Sequence, residues 1–205
     1  MARISKEQRE KIKSDIIETS RQLFIEEGYS QTSTKKIAKR VGIAEGTVFN
    51  YFKTKSDILI EVITGDMSAE LFDGPETIND VNVEDIYIKY YQKVCKPILK
   101  LPKKIMLDVF LAIFKASKTA PNMIKHFASI DFKFIDVLED MSKELQAKNL
   151  IKACDARLLA ESLYSDVMFG FVIYSYDQDM ALDACFEMIN QKFSFTLAPL
   201  IIKEV

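Results

Sequence analysis

With 205 residues and 48% apolar content, the chain can bury one or two domain cores and is excluded from the disordered class. No apolar run approaches the roughly 18–20 residues needed to span a bilayer, and the polar start Met1-Ala2-Arg3-Ile4-Ser5-Lys6 predicts no secretion signal. The formal net charge of −2 hides a division: residues 1–60 hold twelve Lys/Arg against eight Asp/Glu, and the remainder holds 16 against 22, so a basic end suited to phosphate adjoins an acidic body.

In chain order, Ser5-Lys6-Glu7-Gln8 reads as a capping box. Ile12, Ile16, Leu23 and Phe24 form the apolar stripe of a first helix, which Gly28 ends. Thr32 or Ser33 caps a second helix, with Ile37, Ala38 and Val41 on its inner face and Lys35, Lys36, Lys39 and Arg40 mostly off it. Gly42 stands where a left-handed turn is needed, and Ile43 returns to the core. A third helix is predicted from about Glu45 to Phe52, with Val48 and Phe52 inward and Phe49 beside them. Thr47, Asn50 and Tyr51 are left facing outward. Hydroxyls and helix-start N–H groups donate to phosphate oxygens, Asn pairs with adenine, and Gly46 admits a close duplex. Lys55, at the start of a fourth helix, is placed to clamp a phosphate. A helical hairpin with merely solvated charges is the plainer reading of the same pattern.

The stretch Phe24-x3-Gly28-Tyr29-x4-Ser/Thr, followed by Ile37-Ala38-x3-Gly42-Ile43-x2-Gly46-Thr47-Val48-Phe49-x-Tyr51-Phe52-x2-Lys55-x2-Ile58-Leu59, resembles the tetracycline-repressor (TetR) family of bacterial transcription regulators over roughly residues 10 to 60. The resemblance implies that Glu45 to Phe52 is a recognition helix. By the same resemblance Thr47, Tyr51 and Lys55 hold phosphates, Thr34 and Lys36 reach the backbone, and Ala44, Glu45, Gly46, Val48 and Asn50 lie nearest the bases. Two positions depart from the family pattern. Phe49 lacks the hydroxyl of a frequent Tyr, and Ala44 lacks the side-chain cap of a frequent Ser or Thr.

The body reads as helical throughout, giving an all-α chain of about nine helices: a helix-turn-helix head at 1–55 and a ligand-binding and dimerisation bundle at 56–205. Helix four runs from Ser56 to about Leu71, before a loop at Asp73-Gly74-Pro75-Glu76-Thr77. Asn82 caps a helix from Val83 to about Leu99. Pro102 precedes one at Ile105–Ala116, and Pro121 opens a long one to about Lys148, ended near Asn149. The long helix carries the stripe Ile124, Phe127, Phe134, Ile135, Leu138, Met141 and Leu145. Asp155 caps a helix to about Tyr174, and Asp177 or Asp179 starts the last, to about Leu197.

The last two helices are apolar on more than one face. A homodimer through a four-helix bundle is therefore expected, using Leu159, Leu163, Val167, Phe171, Phe186, Ile189, Phe193 and Leu197. A core within one chain is the alternative. Tyr90, Phe110, Phe114, Phe127, Phe134, Tyr164 and Met168 are candidates to line an apolar or amphipathic effector pocket, although a plain core suits each of them as well.

No enzyme is expected. The only histidine is His126, no Glu-x-x-His pair, GxSxG or P-loop occurs, and neither metal nor cofactor is implied. Cys95, Cys154 and Cys185 form no CxxC pair and suit a reducing cytoplasm. The reading is a cytoplasmic DNA-binding regulator. The resemblance implies a repressor released from a pseudo-palindromic operator by a small molecule. A redox-responsive repressor using a cysteine, and a helical carrier of apolar ligands that binds no DNA, are the alternatives.

Overall fold

A computed structural model describes residues 5–72, 82–99, 102–119 and 121–202, with the side chains of 66–72, 97–99, 112–119, 121–124, 126 and 127 left aside. The loop expected at Asp73–Thr77 and the side chains of Phe114, Ile124, His126 and Phe127 thus lie outside the described residues.

The described residues form nine α-helices: α1 (Lys6–Glu27), α2 (Thr34–Val41), α3 (Glu45–Phe49), α4 (Lys55–Phe72), α5 (Val83–Leu99), α6 (Lys103–Thr119), α7 (Pro121–Ala147), α8 (Ala156–Tyr176) and α9 (Leu182–Leu197). They fall into two compact units, Met1–Asp66 with Lys104–Phe127, and Met67–Lys103 with Ala128–Val205. None of these helices is long and apolar enough to cross a membrane.

In the first unit, both halves of the capping box at Ser5 and Gln8 are formed, and α1 ends at Gly28 with φ +88°. Its core gathers Ile16, Leu23 and Phe24 of α1, Ile37 and Ala38 of α2, Val48, Phe52, and Ile58 and Leu59 of α4. In the second unit α8 packs on α9, and α9 on α5. Buried and part-buried polar bonds add direction to that apolar packing. The Tyr91 hydroxyl donates to Asn190 Oδ1 at 2.5 Å, Tyr87 and Ser142 share a hydrogen bond of 2.7 Å, and Ser194 donates to Glu84 at 2.7 Å. After α7, Asn149 takes φ +56°. Lys152 N–H then donates to Leu200, and Ile202 N–H to Leu150, closing an isolated antiparallel bridge between Ile151 and Ile201.

Three expectations are corrected. The helix expected to reach Phe52 ends at Phe49, and Tyr51 and Phe52 close a turn by donating their N–H groups to Val48. The last helix starts at Leu182 after Ala181, which offers no side-chain cap. Asp177 instead accepts the N–H groups of Asp179 and Met180, so its carboxylate shapes the turn before α9. The third concerns the expected dimer face. Leu159, Leu163, Val167, Phe171, Ile189, Phe193 and Leu197 are buried within the single chain, and Phe186 is half-buried against Tyr91 with ring centroids 6.0 Å apart. The most regular apolar stripes of α8 and α9 cover each other and α5, and the residues exposed on these helices are different ones.

Gly170 marks how close that α8–α9 contact is. A Cβ built there would stand 2.5 Å from Ile189 Cγ1 and 2.6 Å from its Cδ1. Gly65, exposed on α4, has open space around it. Gly170→Ala should therefore lower the stability of the chain by roughly 1–3 kcal/mol through overpacking. Gly65→Ala should raise it by about 0.5–1 kcal/mol through helix propensity. Denaturant melts followed by far-UV circular dichroism will separate the two signs.

Candidate nucleic-acid interface

The hairpin of α2 and α3 is set by its caps. Ser33, rather than Thr32, caps α2 by accepting the Lys36 N–H at 3.2 Å. Thr32 turns inward and donates to the carbonyls of Gly28 and Leu23, at 2.9 and 3.2 Å. Gly42 adopts the left-handed conformation (φ +81°, ψ +29°) and, with Ile43, donates to the Ala38 carbonyl at 3.0 Å. α3 then begins at Ala44 without a side-chain cap. The Thr34 hydroxyl donates to Glu45 at 2.7 Å, tying the starts of the two helices together.

The expected contact residues divide sharply. Ala44, Gly46 and Asn50 are exposed, and Thr47 and Tyr51 are half-buried with their edges at the surface. A Cβ built on Gly46 would meet nothing within 4 Å, so the protein's own packing does not require glycine there. Val48 is a correction: its exposure is 0%, and its side chain anchors α3 to the core instead of facing a base. Phe49 is the opposite case. It was expected beside the inward residues, yet it is 48% exposed, one helical step of about 100° round from buried Val48.

The basic residues also separate. Lys36 pairs with Glu27 at 2.5 Å and Arg40 with Glu26 at 2.7 Å, both acids of α1. Lys35, Lys39 and Lys53 are exposed and carry no ion pair among the described residues. The Arg9 guanidinium lies over the Tyr51 ring, 5.9 Å from its centroid.

Lys55 turns its ammonium into the head. Its Nζ donates to the carbonyls of Tyr29 at 2.6 Å and Thr32 at 2.8 Å, and sits 4.2 Å from the centroid of the Tyr29 ring. Burial pushes its pKa down, opposed by the charge of Asp108. The Tyr29 hydroxyl in turn shares a 3.0 Å hydrogen bond with Ser56, and its ring packs edge-on against Phe24 at 5.3 Å. One lysine thus gathers the carbonyls of the loop between α1 and α2.

In the second unit, Tyr90, Phe134 and Tyr164 come together, with centroids 5.6 Å apart from Tyr90 to Phe134 and 6.0 Å from Phe134 to Tyr164. Met168 is half-buried on α8. Phe110, also half-buried, belongs to the first unit. One polar residue of this region escaped the sequence reading: Asp131, whose carboxylate accepts a hydrogen bond from Tyr164. It stands at a position of the α7 apolar stripe, one turn before Phe134, and a charge on such a stripe was the available signal. Cys95 and Cys185 are buried, and burial raises both thiols, Cys185 to about 11. The thiolate that redox chemistry needs is suppressed there.

The family model described as bacterial regulatory proteins, tetR family, matches residues 16–62. Over 47 residues the chain is 47% identical to the Fatty acid metabolism regulator protein of Bacillus subtilis, covering 23% of this chain and 24% of that protein. Matches to the curated relatives span from a quarter to under half of their own lengths. Among solved structures, a proposed TetR-family transcriptional regulator from Mesorhizobium loti superposes with a TM-score of 0.71 at 16% identity, covering 94% of this chain and 98% of that one. Thermus thermophilus FadR, a TetR-family repressor in complex with lauroyl-CoA, gives 0.67 at 13%, covering 94% and 97%. At such identities the likeness is one of fold, all-α throughout.

The inward lysine yields a test. Lys55→Met keeps the aliphatic stem and removes the donor, so it should cost roughly 1–3 kcal/mol of head stability by leaving carbonyls unsatisfied. Hydrogen exchange at the amides of residues 28–34 should accelerate. Unchanged exchange there would mean that the ammonium does not hold the loop.

Proposed function

We propose that this chain, whose residues 16–62 match the tetR family model of bacterial regulatory proteins, is a cytoplasmic transcriptional regulator of that family that binds double-stranded DNA as a homodimer and is released by a small molecule. The observation that carries the reading is the surface of α3. Gly46 and Thr47 on this short helix and Asn50 at its C-cap reach the surface behind a sharply capped turn, and Lys35, Lys39 and Lys53 of the adjoining segments are exposed.

The roles follow from the chemistry. Asn50 reads a base edge, and the bare backbone at Gly46 lets the duplex approach. Thr47, Tyr51 and the N–H groups at the start of α3 take phosphates, with Lys35, Lys39 and Lys53 supplying charge. Thr34 and Glu45 are bonded to each other in the free protein, so they orient α3 and Glu45 meets a base only if that bond yields. Lys36 reaches the DNA backbone only by leaving Glu27. Lys55 acts through the loop it holds.

For the homodimer the exposed stripe of α8 and α9 is the candidate face. Leu158, Ser162, Ser165 and Phe169 follow one another at helical spacing on α8. Met188, Gln191 and the 83% exposed Phe195 stand on α9. Small serines admit a facing helix and Phe195 supplies the knob. Two heads related by a two-fold axis would read a pseudo-palindrome on successive major grooves. An effector bound among the aromatic rings of the second unit would favour the DNA-free state, acting as a repressor's inducer.

Gel shifts with fragments flanking the chain's own gene test the reading, and binding to none of them at low salt would sink it. Asn50→Ala should cost about 1–3 kcal/mol on the preferred site and little on others. Lys39→Ala should weaken all sites alike and reduce the salt slope by about one. Phe195→Glu should turn the dimer into a monomer in sedimentation equilibrium with its helical content intact, while Phe193→Glu should unfold it.

A further inference from the structure

We propose that the effector is a cation, a protonated or quaternary amine joined to apolar bulk, and that Asp131, Tyr90, Phe134 and Tyr164 form its receptor. This rests on the regulator reading and names the ligand class of its switch.

The first argument is charge. Asp131 sits on the apolar stripe of α7, half-buried, and its hydrogen-bond donor is the neutral Tyr164 hydroxyl. Among the described residues no ion pair reaches it. A carboxylate in such surroundings is costly when ionised, and burial does raise it, to about 6. A bound cation removes that cost, whereas an anionic ligand would set like charge against it.

The second argument is geometry. Phe134 is tilted at 59° to Tyr90 and at 85° to Tyr164, so the cluster offers both ring faces and ring edges. Ring faces attract alkylammonium groups, the more so when water is excluded. The third argument is an orphan. Tyr90 is only 2% exposed, and among the described residues its hydroxyl has no hydrogen-bond partner. Such a group costs roughly 1–3 kcal/mol unless something meets it, and a polar or cationic ligand head would.

The rival explanation is that Asp131 and Tyr164 merely tether α7 to α8. Asn at 131 separates the two, because its side-chain oxygen still accepts from Tyr164 while the charge is gone. Isothermal titration calorimetry on the full chain, with hexyltrimethylammonium, 1-hexanol and hexanoate as probes, measures the difference. The cation should bind best, and D131N should weaken it by about tenfold or more while leaving hexanol unchanged. Tyr164→Phe, which keeps ring and charge but removes the tether, should retain cation binding. Hexanoate binding as tightly as the ammonium, no heat with the ammonium, or equal cation affinity in D131N and the parent would overturn the proposal. Gel shifts on the same preparations keep the two readings apart. DNA bound without any ammonium binding defeats this inference alone, and ammonium bound by a protein that binds no DNA defeats the regulator reading.

Discussion

A helix of five residues does not hold its shape in water, since nucleation alone outweighs the bonds it can make. α3 is such a helix, and its orientation comes entirely from outside itself. Val48 inside it and Phe52 just beyond it are the buried apolar anchors, and α3 packs on α2. Gly42 fixes the angle of entry through a backbone conformation that a side chain would strain. The Thr34–Glu45 bond ties its first residue to the start of α2, while the N–H groups at the start of α3 have no side-chain cap from Ala44. Everything proposed for Gly46, Thr47 and Asn50 depends on these fixtures, because a reading surface is only as well placed as its support.

The electrostatics of the head show the same economy. Sequence alone suggests a dense basic face, but much of that charge is spent at home. Glu26 and Glu27 at the end of α1 take up Arg40 and Lys36, and Lys55 serves the loop carbonyls. These exposed pairs contribute little stability individually. Their larger effect is to leave Lys35, Lys39 and Lys53 as the bases of the α2–α4 segment that are exposed and carry no ion pair among the described residues.

Much of the fold was legible, because helix ends are local chemistry. Ser5, Asn82 and Asp155 each accept an N–H as a cap, and Gly28, Gly42 and Asn149 take positive φ. What could not be read was tertiary choice. Apolar periodicity says that Leu163, Val167, Ile189 and Phe193 are covered, but not by whom, and here the chain covers them itself. Lys55 carried a charge suited to phosphate, and only the spatial return of Tyr29 and Thr32 to α4 reveals its other partners. Asp131 was overlooked because a single acid in an apolar stripe is outvoted by its neighbours in any pattern count.

The self-covered inner faces of α8 and α9 constrain how a dimer would form. If the strongest apolar residues had been left open, the protomer would need its partner in order to fold, and association would be inseparable from stability. Instead each chain closes its own core, and the outer stripe mixes Leu158, Phe169 and Phe195 with Ser162, Ser165, Asp166, Gln191 and Lys192. Such a surface, part apolar and part polar, suits the docking of finished protomers. An interface of that kind tolerates small rearrangements without unfolding either chain. That tolerance is what a two-state regulator requires if a ligand worth only a few kcal/mol of differential binding is to move it.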